Sequence, residues 1–185
     1  GYLSSGVPGT VAGLWSVHQK FGSMDWEELL APAIKLAKEG FEVTPYMQDM
    51  LVKYHKKLST FPETKKIFQS NYPVFNKTLF IQKDLSETLE IISKKGRNGF
   101  YKGEVASKIV NDMKSNGGII SKKDLRNYEP VWREPLVANY RGSEIITMPP
   151  PSSGGVHIIQ MLNILENYEL SNMKHNSKEY INILG

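Results

Sequence analysis

Two serines and a histidine stand close together in the run Pro149-Pro150-Pro151-Ser152-Ser153-Gly154-Gly155-Val156-His157. A hydroxyl beside an imidazole is the raw material of a nucleophile and its base. The Gly-x-Ser-x-Gly spacing of a nucleophile elbow is missing, however, and His157 falls about one turn inside the helix announced by the apolar residues that follow. The glycines could also hold an anion on the free N–H groups of a helix start, but no Lys and no Ser or Thr follows them as a phosphate loop requires. The competing reading is structural. The prolines end ladder bonding, Ser152 or Ser153 caps the helix, and the glycines permit close backbone packing at a strand-to-helix corner.

Other residues with chemical potential read more simply. Val11, Leu14, Trp15 and His18 share one helical face, and no second His or carboxylate stands at metal-ligand spacing from His18, which is therefore a packing residue. Glu27 and Glu28 sit in the first turn of a helix, where their charges complement the dipole. His55 has Lys53, Lys56 and Lys57 around it, which places it on an exposed face. No catalytic, cofactor-binding or metal-binding residue is assigned, and no cofactor is implied.

Bulk properties narrow the classes. The 185 residues are 40% hydrophobic with 15 glycines and 10 prolines, which is globular rather than disordered or fibrous. Twenty-three basic residues against 19 acidic ones give +4, spread over several segments, so nucleic-acid binding is not indicated. Without cysteine there is no disulfide or thiol chemistry. No apolar run approaches the ~20 residues of a membrane span. The chain starts at Gly1 and stops at Gly185 inside an apolar helical pattern that begins near Ser177, so both ends read as cut.

The elements that must position these residues are mostly helical. A loop over Gly1 to Gly9 leads to a helix capped by Thr10 and stopped at Gly22. Asp25 and Glu28 form a capping-box-like start for a second helix, which Pro32 kinks and Gly40 ends. Phe41 to Val43 is a short extended piece. Thr44-Pro45 opens a helix through about Leu58, Pro62 to Phe68 is another, and Asn71 to Thr78 is a loop. Helices follow from about Asp84 to Lys95 and, marked by Val105, Ile109, Val110 and Met113, up to the stop at Gly117-Gly118, with an aromatic turn over Asn98 to Gly103 between them. Ser121 and Asp124 cap a short helix to Tyr128. After Pro130 the texture changes: Val131 to Tyr140 and Ser143 to Met148 read as a hairpin joined at Arg141-Gly142. Val156 to Leu165 is apolar nearly all round, as in a helix buried between layers. The expected organisation is one incomplete segment, 1–185, with a helical layer over about 10–128, a hairpin over about 131–148 and a buried helix over about 153–168.

Several motifs taken together, Ser5-Gly6-Val7-Pro8-Gly9-Thr10-Val11-Ala12-Gly13, Ala31-Pro32-Ala33-Ile34-Lys35-Leu36-Ala37, Phe100-Tyr101-Lys102-Gly103, Asn116-Gly117-Gly118-Ile119-Ile120 with Asp124-Leu125, and Tyr140-Arg141-Gly142 leading into Met148 to Gly155, closely resemble γ-glutamyltranspeptidase, in order, across the middle of its large subunit. The resemblance implies an α+β, mainly helical piece of a four-layer αββα N-terminal-nucleophile hydrolase, made as a proenzyme that cleaves itself into two subunits. It implies a small-subunit threonine that attacks γ-glutamyl amides such as glutathione, with its own α-amino group as base. A partner small subunit and a periplasmic or secreted location for the parent enzyme follow from the same likeness.

The Thr-Thr-His-Tyr-Ser-like nucleophile segment of that family appears nowhere in this chain. The arginine that grips substrate belongs upstream in the family, so Arg97, Arg126, Arg133 and Arg141 do not inherit its role, and Ser152-Ser153-Gly154-Gly155 is by order a different motif from the family's later serine and glycine pairs. The chain is therefore expected to be non-catalytic by itself, and to self-associate through apolar faces and strand edges. Two other readings stand beside this one: a helical interaction module of the same ancestry, and a glutaryl or cephalosporin acylase.

Overall fold

The computed structural model describes residues 1–69 and 78–185. The loop expected over Asn71 to Thr78 lies, except for Thr78, outside the described residues. The chain divides into two compact units, Gly1–Pro130 and Val131–Gly185.

The first unit is helical. Helix α1 (Thr10–Phe21) is preceded by Gly9 at the cap position, so Thr10 is its first residue and not its cap. Ala12 is buried, whereas Leu14 is 57% exposed and drops out of the face expected for it. Helix α2 (Trp26–Glu39) follows with Pro32 inside it, but Asp25 makes no side-chain cap bond and the expected capping box is not formed. Proline removes one N–H and clashes with the preceding turn, yet the helix runs through because its inner face is tied down elsewhere.

That anchorage is α6 (Lys83–Lys95), against which α2 packs. Trp26 Nε1 donates to the Ile92 carbonyl at 3.1 Å, Gln82 N–H donates to the Ala37 carbonyl at 2.9 Å, and Lys38 meets Glu90 at 3.2 Å on the rim. Between α2 and α6 the chain forms β1 (Phe41–Glu42), α3 (Pro45–Lys53), α4 (His55–Leu58), α5 (Pro62–Gln69) and β2 (Leu79–Phe80). Thr44 caps α3 by accepting from the Met47 N–H at 3.2 Å, with proline at the first helical position. The single helix expected through Leu58 breaks at Tyr54. Val43 and Leu51 are buried, with Met47, Leu58, Phe68 and Phe80 packed around them.

Beyond α6, the aromatic turn expected over Asn98 to Gly103 is instead a short helix, α7 (Arg97–Tyr101), that leads directly into α8 (Gly103–Ser115). The sequence Phe100-Tyr101 buries itself, and burial rewards a helical turn that the neighbouring glycines would not favour by propensity. Helix α9 (Lys122–Asn127) has a full capping box: Ser121 Oγ accepts from the Asp124 N–H at 3.3 Å, and Asp124 Oδ2 accepts from the Ser121 N–H at 2.8 Å. Ala12, Tyr101, Ala106, Ile120 and Leu125 form the buried cluster of this unit.

The second unit is a hairpin, two helices and connecting turns. Strands β3 (Leu136–Tyr140) and β4 (Ser143–Thr147) pair antiparallel, with Val137 opposite Ile146. Arg141 (φ 51°) and Gly142 (φ 81°) both take the left-handed conformations that a two-residue hairpin turn needs. The first strand is shorter than Val131 to Tyr140, and the second stops before Met148. The next pair outward would set Pro135, which has no N–H, opposite Met148. Helix α10 (Gly154–Leu165) lies along β3, and α11 (Lys178–Leu184) is capped by Ser177, whose Oγ accepts from the Tyr180 N–H at 3.2 Å. The helix expected to be buried over about 153–168 is, within this chain, largely open: only Gly155 is buried, while Ile158, Met161 and Ile164 are 43%, 54% and 59% exposed. Within this unit, the sheet that α10 covers is only two strands wide.

Among the described residues, no helix is long and apolar enough to cross a membrane.

Candidate functional site

Strand β4 delivers the chain to the proline run, where the Pro150–Pro151 peptide is cis. The decisive contact is at Gly155. A Cβ added there would stand 2.1 Å from the Met148 carbonyl oxygen and 2.9 Å from Thr147 Cγ2, so the first turn of α10 rests directly on the end of β4. Only glycine permits that approach. At Gly154 the nearest atom to such a Cβ is Ser152 Oγ at 3.6 Å, an ordinary contact. The two glycines are thus not equivalent.

The serines do little as caps. Ser153 occupies the cap position with φ −80° and makes no side-chain cap bond, and Ser152 Oγ accepts from the Gly154 N–H at only 3.4 Å. His157 is exposed and its N–H donates to the Ser153 carbonyl at 3.0 Å as an ordinary helical bond. Among the described residues, no hydrogen bond joins its imidazole to Ser152 or Ser153. The corner therefore brings a serine pair and a histidine onto one short stretch without assembling a nucleophile and base.

The other candidates are spent on structure. His18 Nε2 lies 2.8 Å from the Met24 carbonyl oxygen, with its ring 6.1 Å from Trp15 and 5.1 Å from Trp26, as a half-buried packing residue. His55 is half-buried, not on the exposed face its lysine neighbours suggest. Glu27 and Glu28 are exposed in the first turn of α2. Arg97 Nη2 donates to the Tyr128 carbonyl and to Glu129 Oε1 (2.9 Å), and its guanidinium lies 5.1 Å from the Tyr101 ring centre. Arg141 is held in the hairpin turn. Its N–H donates to Glu166 Oε1 at 2.9 Å, its Nη2 donates to the Tyr168 carbonyl, and its guanidinium lies 5.4 Å from the Tyr140 ring centre. Arg126 and Arg133 are exposed. Among the described residues, no three His, Asp or Glu side chains converge on a metal-sized site.

The residue that the spacing arguments passed over is Tyr101. Its ring is 1% exposed and stacks on Tyr128 at 5.9 Å, its hydroxyl donates to the Pro8 carbonyl at 2.6 Å, and it accepts from the Ala12 N–H at 3.2 Å. Burial is the main influence that raises its phenol above the ordinary tyrosine value, which keeps the proton on the donor. One side chain thus ties the Gly-Val-Pro-Gly-Thr segment to the Phe-Tyr-Lys-Gly segment. Both segments belong to the motifs that carry the family resemblance, which is the signal for it in the sequence.

A family model for gamma-glutamyltranspeptidase matches residues 1–185, from the loop held by Tyr101 through the proline corner to the end of the chain. The chain belongs to the gamma-glutamyltranspeptidase family. The glutathione hydrolase proenzyme of Escherichia coli (strain K12) is 40% identical over 186 aligned residues, which cover 100% of this chain and 32% of that protein. The crystal structure of Helicobacter pylori gamma-glutamyltranspeptidase superposes with a TM-score of 0.93 at 44% identity, covering 99% of this chain and 53% of that one. The acylase ACY 1 proenzyme of Pseudomonas sp. (strain SE83) is 37% identical over 97% of this chain and 32% of its own length. The chain spans about a third of the length of these two curated relatives. Its mainly helical structure, with two small two-stranded antiparallel sheets among the described residues, is an α+β portion of the gamma-glutamyltranspeptidase fold.

Proposed function

We propose that the chain is a scaffolding part of the large subunit of a γ-glutamyl hydrolase and transferase, which cleaves γ-glutamyl amides such as glutathione and passes the γ-glutamyl group to water or an amino acid. The family match over all 185 residues carries this reading. In it the nucleophile is the N-terminal threonine freed when the proenzyme cleaves itself, and two backbone N–H groups of the small subunit stabilise the tetrahedral oxyanion. No threonine-led segment of that kind occurs in this sequence. The side chains that are present suit support: serines without an imidazole partner, and Arg97 and Arg141 engaged by carbonyls and carboxylates. No catalytic residue is assigned to the chain.

The proposal extends to a four-layer αββα arrangement, in which residues 10–128 contribute a helical layer, 131–148 a hairpin and 153–168 a covered helix. The hairpin supports it. Thr147 faces α10, and on that side Leu136, Ala138, Tyr140 and Ile145 are half-buried, while the cross-strand pair Val137 and Ile146 on the other side is 59% and 63% exposed. A hairpin apolar on both faces suits cover on both. The open residues of α10 fit the same scheme. The partner that supplies this cover is the small subunit of the same proenzyme, and the chain without it self-associates. A periplasmic or secreted location belongs to the same reading, by likeness to bacterial glutathione hydrolases.

The likeness to the acylase favours a second reading, hydrolysis of an acyl side chain that lacks the α-amino group. Initial rates of the full-length, self-cleaved protein on a γ-glutamyl anilide and a glutaryl anilide distinguish the two. Preference for γ-glutamyl is expected, and preference for glutaryl would move the assignment to the acylases.

A further inference from the structure

Helices α3, α4 and α5 border an open, mainly apolar groove of about 480 Å³, lined by Met50, Leu51, Tyr54, Leu58, Phe61 and Phe68, with Lys57 and Thr64 beside them. The aromatic lip is open to solvent, with Phe61 57% and Tyr54 45% exposed. Among the described residues, Lys57 is the one charged residue of the groove's lining, and no carboxylate shares the lining with it. An apolar floor with a cation at its edge is complementary to a molecule that has an apolar body and an anionic head.

We infer that this groove is a binding site for a single-chain anionic amphiphile of the alkyl-carboxylate class, with its chain against Leu51, Leu58 and Phe61 and its head beside Lys57. The volume is that of a small-ligand pocket. The Lys57 stem adds to the apolar wall while its head stays wet, so charge and burial act on the same ligand. None of these residues belongs to the proline corner or to the Tyr101 cluster, and the site stands apart from the assignment of γ-glutamyl chemistry.

The test is calorimetric titration of the full-length protein with octanoate, decanoate and dodecanoate below their micelle concentrations, alongside dodecanol and dodecyltrimethylammonium. One-to-one binding is expected, tightening about tenfold for each two methylenes added. Dodecanol should bind about tenfold more weakly than dodecanoate, and the cation more weakly still. Both Lys57 and Phe61 are exposed, so substitution leaves the fold intact, as circular dichroism checks. Lys57→Glu should weaken dodecanoate about tenfold and leave dodecanol unchanged, whereas Phe61→Ser should weaken both. Absence of saturable binding, indifference to head charge, or unaltered affinity in both variants overturns the inference. Binding to anionic phospholipid vesicles without binding of monomeric dodecanoate also overturns it, in favour of a membrane surface.

Discussion

The hydroxyl of Tyr101 donates to the Pro8 carbonyl across 93 positions of sequence, at 2.6 Å, and the same oxygen accepts from the Ala12 N–H. The entry to α1 is therefore fastened from α7 by one buried atom. The buried Ala12 amide needs a partner, and the phenol that satisfies it also holds the Pro8 carbonyl.

Tyr101→Phe keeps the ring and its stack on Tyr128 and removes only that atom. A loss of about 1–3 kcal/mol is expected, since two backbone groups are left without their partner. Urea unfolding gives the magnitude, and faster amide exchange at Ala12 than at neighbouring helical amides shows where it arises. An unchanged midpoint would mean that the loop is held by other contacts.

Gly155→Ala should be destabilising, against the usual trend. Alanine normally favours a helix over glycine by about 1 kcal/mol, but here its Cβ would stand 2.1 Å from the Met148 carbonyl oxygen. Gly154→Ala, with its nearest contact at 3.6 Å, should be neutral or stabilising. Thermal unfolding of the two variants side by side reads the contrast, and equal midpoints would remove the strand-end contact from the explanation of the corner.

Replacing Ser152 and Ser153 together by alanine should cost less than about 0.5 kcal/mol, below the range for a true cap, because Ser153 makes no cap bond and Ser152 a long one. Turnover of the matured full-length enzyme should be unchanged. A folded, matured double mutant that lost turnover more than about a hundredfold would put the corner in the active site.

The Ser121–Asp124 box gives a pH signature. Bonds from the Ser121 hydroxyl and N–H hold the Asp124 carboxyl below the ordinary aspartate value. A carboxyl so lowered binds fewer protons folded than unfolded, so its contribution is complete above the unfolded pKa and is lost as pH falls through the folded one. Wild type should thus lose stability relative to Asp124→Asn as pH falls from the ordinary aspartate range toward more acid values. Parallel stability curves for the two proteins over that window would contradict it.

What could be read in advance was local. The caps at Thr44 and Ser121 lie within three residues of their partners, and the hairpin turn within two, so residue types alone announce them. Asp25 and Glu28 have the same spacing and fail, because a side-chain pattern permits a box without compelling it. The pairing of Phe41–Glu42 with Leu79–Phe80 joins segments far apart, and two-residue strands carry no period to detect. Leu14 and the outer residues of α10 differ for a related reason: an apolar stripe says that cover is wanted, not where it comes from, and Leu14, Ile158, Met161 and Ile164 stay exposed. At the corner, the motif pointed to close packing at both glycines, but only coordinates separate Gly155 from Gly154.

The most direct measurement is chromophore release from a γ-glutamyl anilide by the 185-residue chain alone and by the full-length protein after self-cleavage. The chain alone should stay at the blank rate while the matured protein turns over, since loss of oxyanion donors and nucleophile ordinarily removes about two to four orders of magnitude each. Release above blank by the pure chain, or none by the matured full-length protein, would contradict its assignment as the non-catalytic scaffold of a γ-glutamyltranspeptidase.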